Sequence, residues 1–255
     1  MLTTLTAPAF AGTWCIDEGN ITVKAGDTKG KNTVSQGNKK DVEDTNTIIT
    51  GTSDKNTVTI DTSKGNVDVT FDDLNIDASS RKEAAMSVTG SGNTTIKLDG
   101  DNHLTGGNGS SGIDSIGSLT IYGGENDSLT AKGGSGADGS GGDGIHSGSL
   151  TIYGGTVNAN GGNGNSGGDG ITSNGGVTIS GGTVNAAGGN GKNSNGGSDG
   201  IISNDIDLSG SLELTAKAGR PNGKAISWAG HELDLDTIKD KLGPGAKVTA
   251  TDANG

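Results

Sequence analysis

The chain has 255 residues, of which 50 are glycine and only 28% are hydrophobic, so its composition by itself is that of a linker or a disordered chain. A net charge of -12 argues against nucleic acid and anionic membranes as partners, because both require basic stripes. No run approaches the ~18 apolar residues of a membrane-inserted helix, the glycines keep no collagen period, and one cysteine cannot form an internal disulfide. A core therefore requires repetition, in which each unit supplies a thin apolar stripe.

The first eleven residues, 1–11, have the features of a signal-peptide remnant. Leu2, Leu5 and Ala7 resemble the end of an apolar h-region, and Ala9-Phe10-Ala11 fits a small-x-small cleavage pattern. The basic n-region is missing, which leaves a mildly apolar N-terminal strand as the alternative. The signal-peptide interpretation predicts a secreted or cell-surface protein.

Short stretches of alternating apolar residues follow, as expected for half-buried strands. Residues 12–57, which include Ile21/Val23 and Ile48/Ile49, are expected to form an N-terminal cap and the first coils. The same alternation continues from residue 58 as Val58/Ile60, Val67/Val69/Phe71, Leu74/Ile76, Met86/Val88, Ile96/Leu98 and Leu104.

From Gly112 onward the sequence repeats openly. Each unit begins with a Gly-Ile-x-Ser segment and ends in a glycine-rich stretch. The second and third units continue through Leu-Thr-Ile or Val-Thr-Ile to Gly-Gly-Thr-Val-Asn-Ala, the first has Leu-Thr-Ile and a variant of the rest, and the fourth is more diverged. The matching isoleucines are Ile113, Ile145, Ile171, Ile201 and Ile226. Three alternating stretches per unit predict three short strands per coil, and the spacing varies almost wholly in the glycine-rich stretch, as expected of loops.

The sequence thus predicts an all-β fold, a parallel β-helix over 58–232 with its clearest repeats over 112–226. Parallel crossover connections are nearly always right-handed, so the helix is expected to be right-handed. Its glycine-rich loops are expected to project from one edge. Residues 233–255, with Leu233–Leu242 as a last strand and short helix, are expected to form a C-terminal cap.

Three aspartates recur at equivalent positions, just before Gly-Ile: Asp143, Asp169 and Asp199. In stacked coils they would lie about 4.8 Å apart and repel by roughly 1 kcal/mol per pair in water. One interpretation is that each carboxylate accepts turn amides and leans toward solvent. The other is a Ca²⁺ site built from stacked carboxylates and loop carbonyls.

Two kinds of side chain are candidates for ligand binding. Tyr122 and Tyr153 occupy equivalent outward positions, where they either grip sugar rings or form an ordinary cross-strand pair. The glycine-rich stretches either offer many hydrogen bonds to a ligand or are flexible surface loops. Their candidate side chains are Asn163, Asn165, Asn190 and Asn193.

Catalytic signals are weak. The histidines His103, His146 and His231 stand in unrelated contexts and assemble no recognisable Ser-His-Asp or Cys-His arrangement. A lyase acting on acidic sugars needs a basic residue beside calcium-binding carboxylates, and the two arginines, Arg81 and Arg220, stand in no recognisable motif. The chain is therefore not expected to be an enzyme.

The repeated Asp-Gly-Ile-x-Ser and Thr-Ile-x-Gly-Gly-Thr-Val-Asn-Ala pattern resembles a family of secreted bacterial carbohydrate-binding proteins, which are right-handed β-helices similar to polysaccharide lyases. The resemblance implies calcium and a polysaccharide or cell-surface glycan as ligands, with Asp143, Asp169 and Asp199 at the Asp-Gly-Ile positions. The long glycine-rich insertions depart from that pattern and resemble those of phage tail-tip adhesins. The leading expectation is a non-catalytic polysaccharide-binding protein. A surface adhesin or structural protein is the alternative, and an acidic-polysaccharide lyase comes third.

Overall fold

A computed structural model describes residues 11–192 and 196–254. They form an all-β structure, 51% strand and 4% helix, in which parallel coils stack into a β-solenoid of about six turns. The predicted parallel β-helix is confirmed. Residues 1–10, which carry most of the signal-peptide pattern, and Asn193 lie outside the described residues. Within the described ranges, no helix has the length and apolar character needed to span a membrane.

Each full coil contributes one strand to each of three parallel columns. The first column contains Ile21–Ala25, Val58–Asp61, Met86–Thr89, Ile113–Ser115, Ile145–Ser147, Ile171–Ser173, Ile201–Ser203 and Ile226–Trp228. The second contains Asn93–Asp99, Ser118–Tyr122 and Ser149–Ile152. The third contains Asp101–Thr105, Ser128–Lys132, Thr156–Asn160 and Lys247–Thr251. Four longer strands bend around the corner between the second and third columns and serve both: Thr47–Ser53, Val67–Asp77, Val177–Ala187 and Ile206–Lys217.

The remaining elements lie at the two ends of the solenoid. Thr13–Cys15 pairs in parallel with Thr47–Ser53, and the antiparallel strands Asn32–Gln36 and Lys39–Asp44 extend the first column. His231–Glu232 pairs antiparallel to the last strand of that column. The short 3-10 turns are Ile16–Glu18, Leu235–Thr237 and Lys239–Lys241.

The core consists of identical or similar residues stacked on one another. Ile113, Ile145 and Ile171 pair in register, and the same stack continues through Ile201 and Ile226. A second stack joins Ile121, Ile152, Ile179 and Leu208. All of these side chains are buried, and full burial of each contributes roughly 1.5–3 kcal/mol. The thin apolar stripe predicted from the repeats is therefore sufficient to form a continuous core.

The corner between the second and third columns requires a left-handed backbone conformation. Gly155 and Gly182 occupy equivalent positions there with φ of 80° and 79°, values that a residue without a Cβ adopts at little cost. The coil that precedes Gly155 has a longer corner, in which the Asp127 carboxylate accepts the amide of Gly124 at 2.7 Å. The same carboxylate accepts the amide of Gly100, from the corner of the coil before it, at 3.1 Å. Ser149–Ile152 ends before this corner, whereas Val177–Ala187 continues through it at Gly182.

The opposite corner, between the third column and the first, carries the glycine-rich arms (106–111, 133–142, 161–168, 188–198 and 219–223, of which 193–195 are not described). Backbone hydrogen bonds of 2.7–3.3 Å, alternately within one arm and between neighbouring arms, form one continuous ladder. From donor to acceptor it runs Gly223, Gly219, Ser198, Gly189, Gly168, Gly162, Gly142, Gly134 and Ser110. The described parts of the arms thus form a hydrogen-bonded layer.

Close backbone packing explains why this layer is made of glycine. A Cβ built at Gly162 would overlap the carbonyl group of Gly134, and one built at Gly189 would overlap that of Gly162. Gly139, at the tip of its arm, has nothing within 4 Å of such a Cβ. Inside the layer glycine is therefore needed for the close approach of peptide groups, whereas at Gly139 it is not.

We expect Gly162→Ala to lower the free energy of unfolding by about 2–3 kcal/mol or more, because the added methyl group has no space between peptide groups. Gly139→Ala is the matched control and should change stability by no more than about 0.5 kcal/mol. Urea unfolding of both variants measures the difference. Equal stabilities would show that the arms do not pack as a layer in solution.

Candidate functional site

The three aspartates that precede Gly-Ile form a ladder between coils. The amide of Asp169 donates to Asp143 Oδ1 at 2.8 Å, and the amide of Asp199 donates to Asp169 Oδ1 at 2.7 Å. The amide of Lys224, at the next equivalent position, donates to Asp199 Oδ1 at 2.7 Å. Each carboxylate thus holds the backbone of the following coil. The carboxylates accept backbone amides, as one interpretation expected, but the amides belong to the following coil and the three residues are half-buried instead of directed to solvent.

Burial makes the ladder electrostatically unfavourable at neutral pH. Desolvation raises the pKa of Asp143 and of Asp199 above the usual range. In the middle of the ladder, desolvation and the neighbouring charge of Asp143 raise the pKa of Asp169 to about 7. Thr172 Oγ1 donates to Asp169 Oδ2 at 3.1 Å and offsets part of this effect.

A histidine beside the ladder was not singled out by the sequence. His146 Nδ1 lies 2.9 Å from Asp114 Oδ1, and this hydrogen bond raises the pKa of His146 and lowers that of Asp114. Asp143 contributes a further, smaller increase in the pKa of His146. The pair could have been found, because Asp114 and His146 both follow the isoleucine of the repeat and pair in register.

The calcium prediction requires more ligands than the ladder supplies. Ca²⁺ takes six to eight oxygen ligands, whereas one oxygen of each ladder carboxylate already accepts an amide. Among residues 11–192 and 196–254, no group of three or more His, Cys, Asp or Glu side chains is placed to hold a metal ion. The described residues therefore offer no preformed calcium site, and calcium dependence stays a prediction.

The two tyrosines form a stacked pair on the outer face of the second column. Their ring centroids are 4.8 Å apart and the ring planes make an angle of 16°. The side chains are 44% exposed at Tyr122 and 50% exposed at Tyr153. The sequence correctly placed both rings outward and on neighbouring coils.

A shallow groove of about 270 Å³ runs along the corner next to these tyrosines. Its floor is glycine from three successive coils, including Gly124, Gly155 and Gly182, and its rim includes Thr156 and Thr183. Glu125 also lines the groove. An exposed aromatic pair thus borders a surface of bare peptide groups and hydroxyls. The groove could not be predicted from the sequence, since its depth depends on how the corner closes.

The candidate asparagines lie in the glycine-rich arms, at a different corner from the tyrosines. Asn163 Oδ1 accepts the amide of Asn190, and Asn190 Oδ1 accepts the amide of Arg220, both at 2.8 Å. Asn165 Nδ2 donates to the carbonyl of Asp138 at 3.1 Å. The structure therefore brings Asn163 and Asn190 together as links between arms. It does not bring either of them to the tyrosines.

Ser128, His103 and Asp101 are the residue types of a hydrolytic triad, but their hydrogen bonds do not follow the order of a triad. His103 Nε2 lies 2.9 Å from Asp101 Oδ2, and the Ser128 hydroxyl donates to the other oxygen of Asp101. In a triad the histidine accepts the serine proton, whereas here the serine hydrogen bonds to the carboxylate. This arrangement does not activate the hydroxyl as a nucleophile.

No protein-family profile, curated protein or solved structure matches the chain.

The raised pKa of Asp169 predicts that stability falls as pH rises. The folded state holds the proton up to about pH 7, whereas the unfolded chain releases it near its ordinary pKa, so stability is lost between these values. Asp169→Asn keeps the Oδ1 acceptor and cannot ionise. We expect the variant to exceed the wild type in free energy of unfolding by on the order of 2–4 kcal/mol at about pH 8, and by much less at about pH 5.

Urea unfolding at the two pH values, with and without millimolar calcium, measures this effect. Asp143, Asp199 and His146 shift the wild-type profile in the same direction, so the comparison of variant with wild type is the informative one. Parallel pH profiles for the two proteins would contradict the ladder electrostatics. Calcium stabilisation that is present in the wild type and lost in Asp169→Asn would support the calcium interpretation instead.

Proposed function

We propose that this protein is an extracellular, non-catalytic polysaccharide-binding protein. The observation that carries the proposal is the exposed, stacked pair of Tyr122 and Tyr153 beside a groove with a glycine floor. The β-solenoid supports the resemblance to secreted carbohydrate-binding β-helices in fold. The ligand and the secreted or cell-surface location belong to the proposal.

The exposed pair of aromatic rings offers a surface on which a ligand can stack. A tyrosine side chain offers a large, rigid apolar area at a low cost in conformational entropy, and a sugar ring has an apolar face of similar size. Polar groups lie next to the rings, including the half-buried Thr151 on the same strand face and the hydroxyls of Thr156 and Thr183 in the groove. Apolar stacking with surrounding hydrogen bonds is what recognition of a neutral sugar requires.

The lyase alternative has little support from the basic residues. The Arg81 guanidinium pairs with Glu83, and Arg220 lies in a glycine-rich arm where its amide is held by Asn190. A lyase would need a free basic group beside the carboxylates that hold its metal. The aspartate ladder instead lies beside His146, which is hydrogen bonded to Asp114.

The adhesin alternative is favoured by one specific observation, the hydrogen-bonded layer of glycine-rich arms. Such a layer holds the described parts of the arms in a row, and loops on a rigid scaffold are where recognition usually occurs. Asp138, Asn165 and Lys192 lie at these tips. A protein or host glycan that reads this row would make the chain a surface adhesin.

A double substitution tests the proposed function. Tyr122→Ala with Tyr153→Ala should weaken binding to polysaccharide by about tenfold or more, because it removes the stacking area. Stability should change by no more than about 1–2 kcal/mol, since the pair is exposed. Pull-down on insoluble polysaccharides, together with thermal melting, measures both effects.

The control removes side chains at the arm tips. Asn165→Ala with Lys192→Ala should leave polysaccharide binding within about twofold of wild type. Loss of binding in this control, with full binding in the tyrosine variant, would move the site to the arms and favour the adhesin. Release of unsaturated sugar products would establish the lyase.

A further inference from the structure

The stacked tyrosines are not equivalent as binding surfaces. Their centroid separation of 4.8 Å matches the spacing between coils, so each ring covers one face of the other. A sugar can therefore stack only on one of the two outer faces. The outer face of Tyr122 points toward the preceding coil, and that of Tyr153 toward the following coil.

The residues at the equivalent positions of the two adjoining coils, one beside each outer face, differ in size. Tyr122 pairs in register with Lys97, an exposed residue with a long side chain. Beyond Tyr153, Ile179 pairs with Ile152, so the next equivalent residue is the small Ser180. Two glycines, Gly181 and Gly182, follow it. The space for a ring is thus beside Tyr153.

The same space opens onto the corner groove. Gly182 packs so closely on Gly155 that a Cβ would overlap the carbonyl oxygen of Gly155, so this part of the floor is bare peptide. Thr183 lies at the rim and offers a hydroxyl. A ring stacked on Tyr153 would have a flat floor below it and hydrogen-bonding groups beside it.

Negative charge near the groove restricts the class of sugar that can bind there. Glu125 lines the groove and takes part in no ion pair with any residue that the structure describes. The chain as a whole has a net charge of -12. A uronic acid or a sulfated sugar would be repelled here, whereas an uncharged sugar would not.

We infer that a pyranose ring of a polysaccharide without acidic groups stacks on the outer face of Tyr153, over Ser180 and the glycine floor, with Tyr122 as the support of that ring. This inference rests on the proposed function and specifies its site and ligand class. The neighbouring sugars follow the corner groove along the solenoid axis, because the groove is continuous over three coils.

Two matched substitutions test this assignment by adding a third ring at either end of the stack. Ser180→Tyr covers the outer face of Tyr153 and should weaken binding by about tenfold or more. Lys97→Tyr covers the outer face of Tyr122 and should leave binding within about twofold of wild type. Binding is measured by affinity electrophoresis in native gels that contain mixed-linkage β-glucan, galactomannan, xylan or polygalacturonate.

A second pair of variants keeps the test informative if the larger side chain at residue 180 disturbs the fold, which thermal melting would show. Tyr153→Ala should lose binding to the same extent as Ser180→Tyr, and Tyr122→Ala should lose less. Equal effects at the two ends of the stack, or retardation by polygalacturonate as strong as by a neutral polysaccharide, would overturn the assignment and leave the proposed function intact. No retardation of the wild type by any of the four polysaccharides would overturn both.

Discussion

Parallel hydrogen bonding between successive coils is the constraint on which the rest of the structure depends. It places each residue directly on its equivalents in the coils before and after, about 4.8 Å away. A side chain that suits such a stack is used repeatedly, which is why isoleucine occupies the first column from Ile113 to Ile226. A side chain that does not suit it needs a local solution. The aspartate ladder has one, in which each carboxylate accepts the amide of the next coil.

Glycine has two roles in this chain that composition does not distinguish. At the corner beside the tyrosines, Gly155 and Gly182 allow a left-handed backbone turn. In the arms, Gly162 and its equivalents allow peptide groups to approach one another more closely than any side chain permits. A high glycine content usually signals a chain that cannot bury enough surface to fold. Here the arms stabilise themselves through backbone hydrogen bonds, and the apolar core is needed only inside the coils.

The repeats predicted most of the fold because the period of the sequence is the period of the structure. The register of Ile121, Ile152 and Ile179, and the outward stacking of Tyr122 on Tyr153, could be predicted from equivalent positions. The pairing of Asp114 with His146 also follows from equivalent positions, although the three histidines of the sequence stand in unrelated contexts. Contacts between non-equivalent backbone groups could not be predicted. The glycine ladder and the groove depend on how the corners close, and the raised pKa of Asp169 depends on burial.

The two candidate surfaces differ in how their side chains are already engaged. Asn163 and Asn190 use their carbonyl oxygens to hold neighbouring arms, so a ligand that recruited those oxygens would compete with the layer itself. The stacking of Tyr153 on Tyr122, in contrast, leaves one ring face uncovered and fixes its direction. A ring held in this way loses little conformational freedom when a ligand binds, and less of the gross interaction is therefore spent on ordering the site. Preorganisation thus favours the tyrosine face over the asparagines as the proposed binding surface. The hydrogen bonds of Asn163 and Asn190 instead link neighbouring arms.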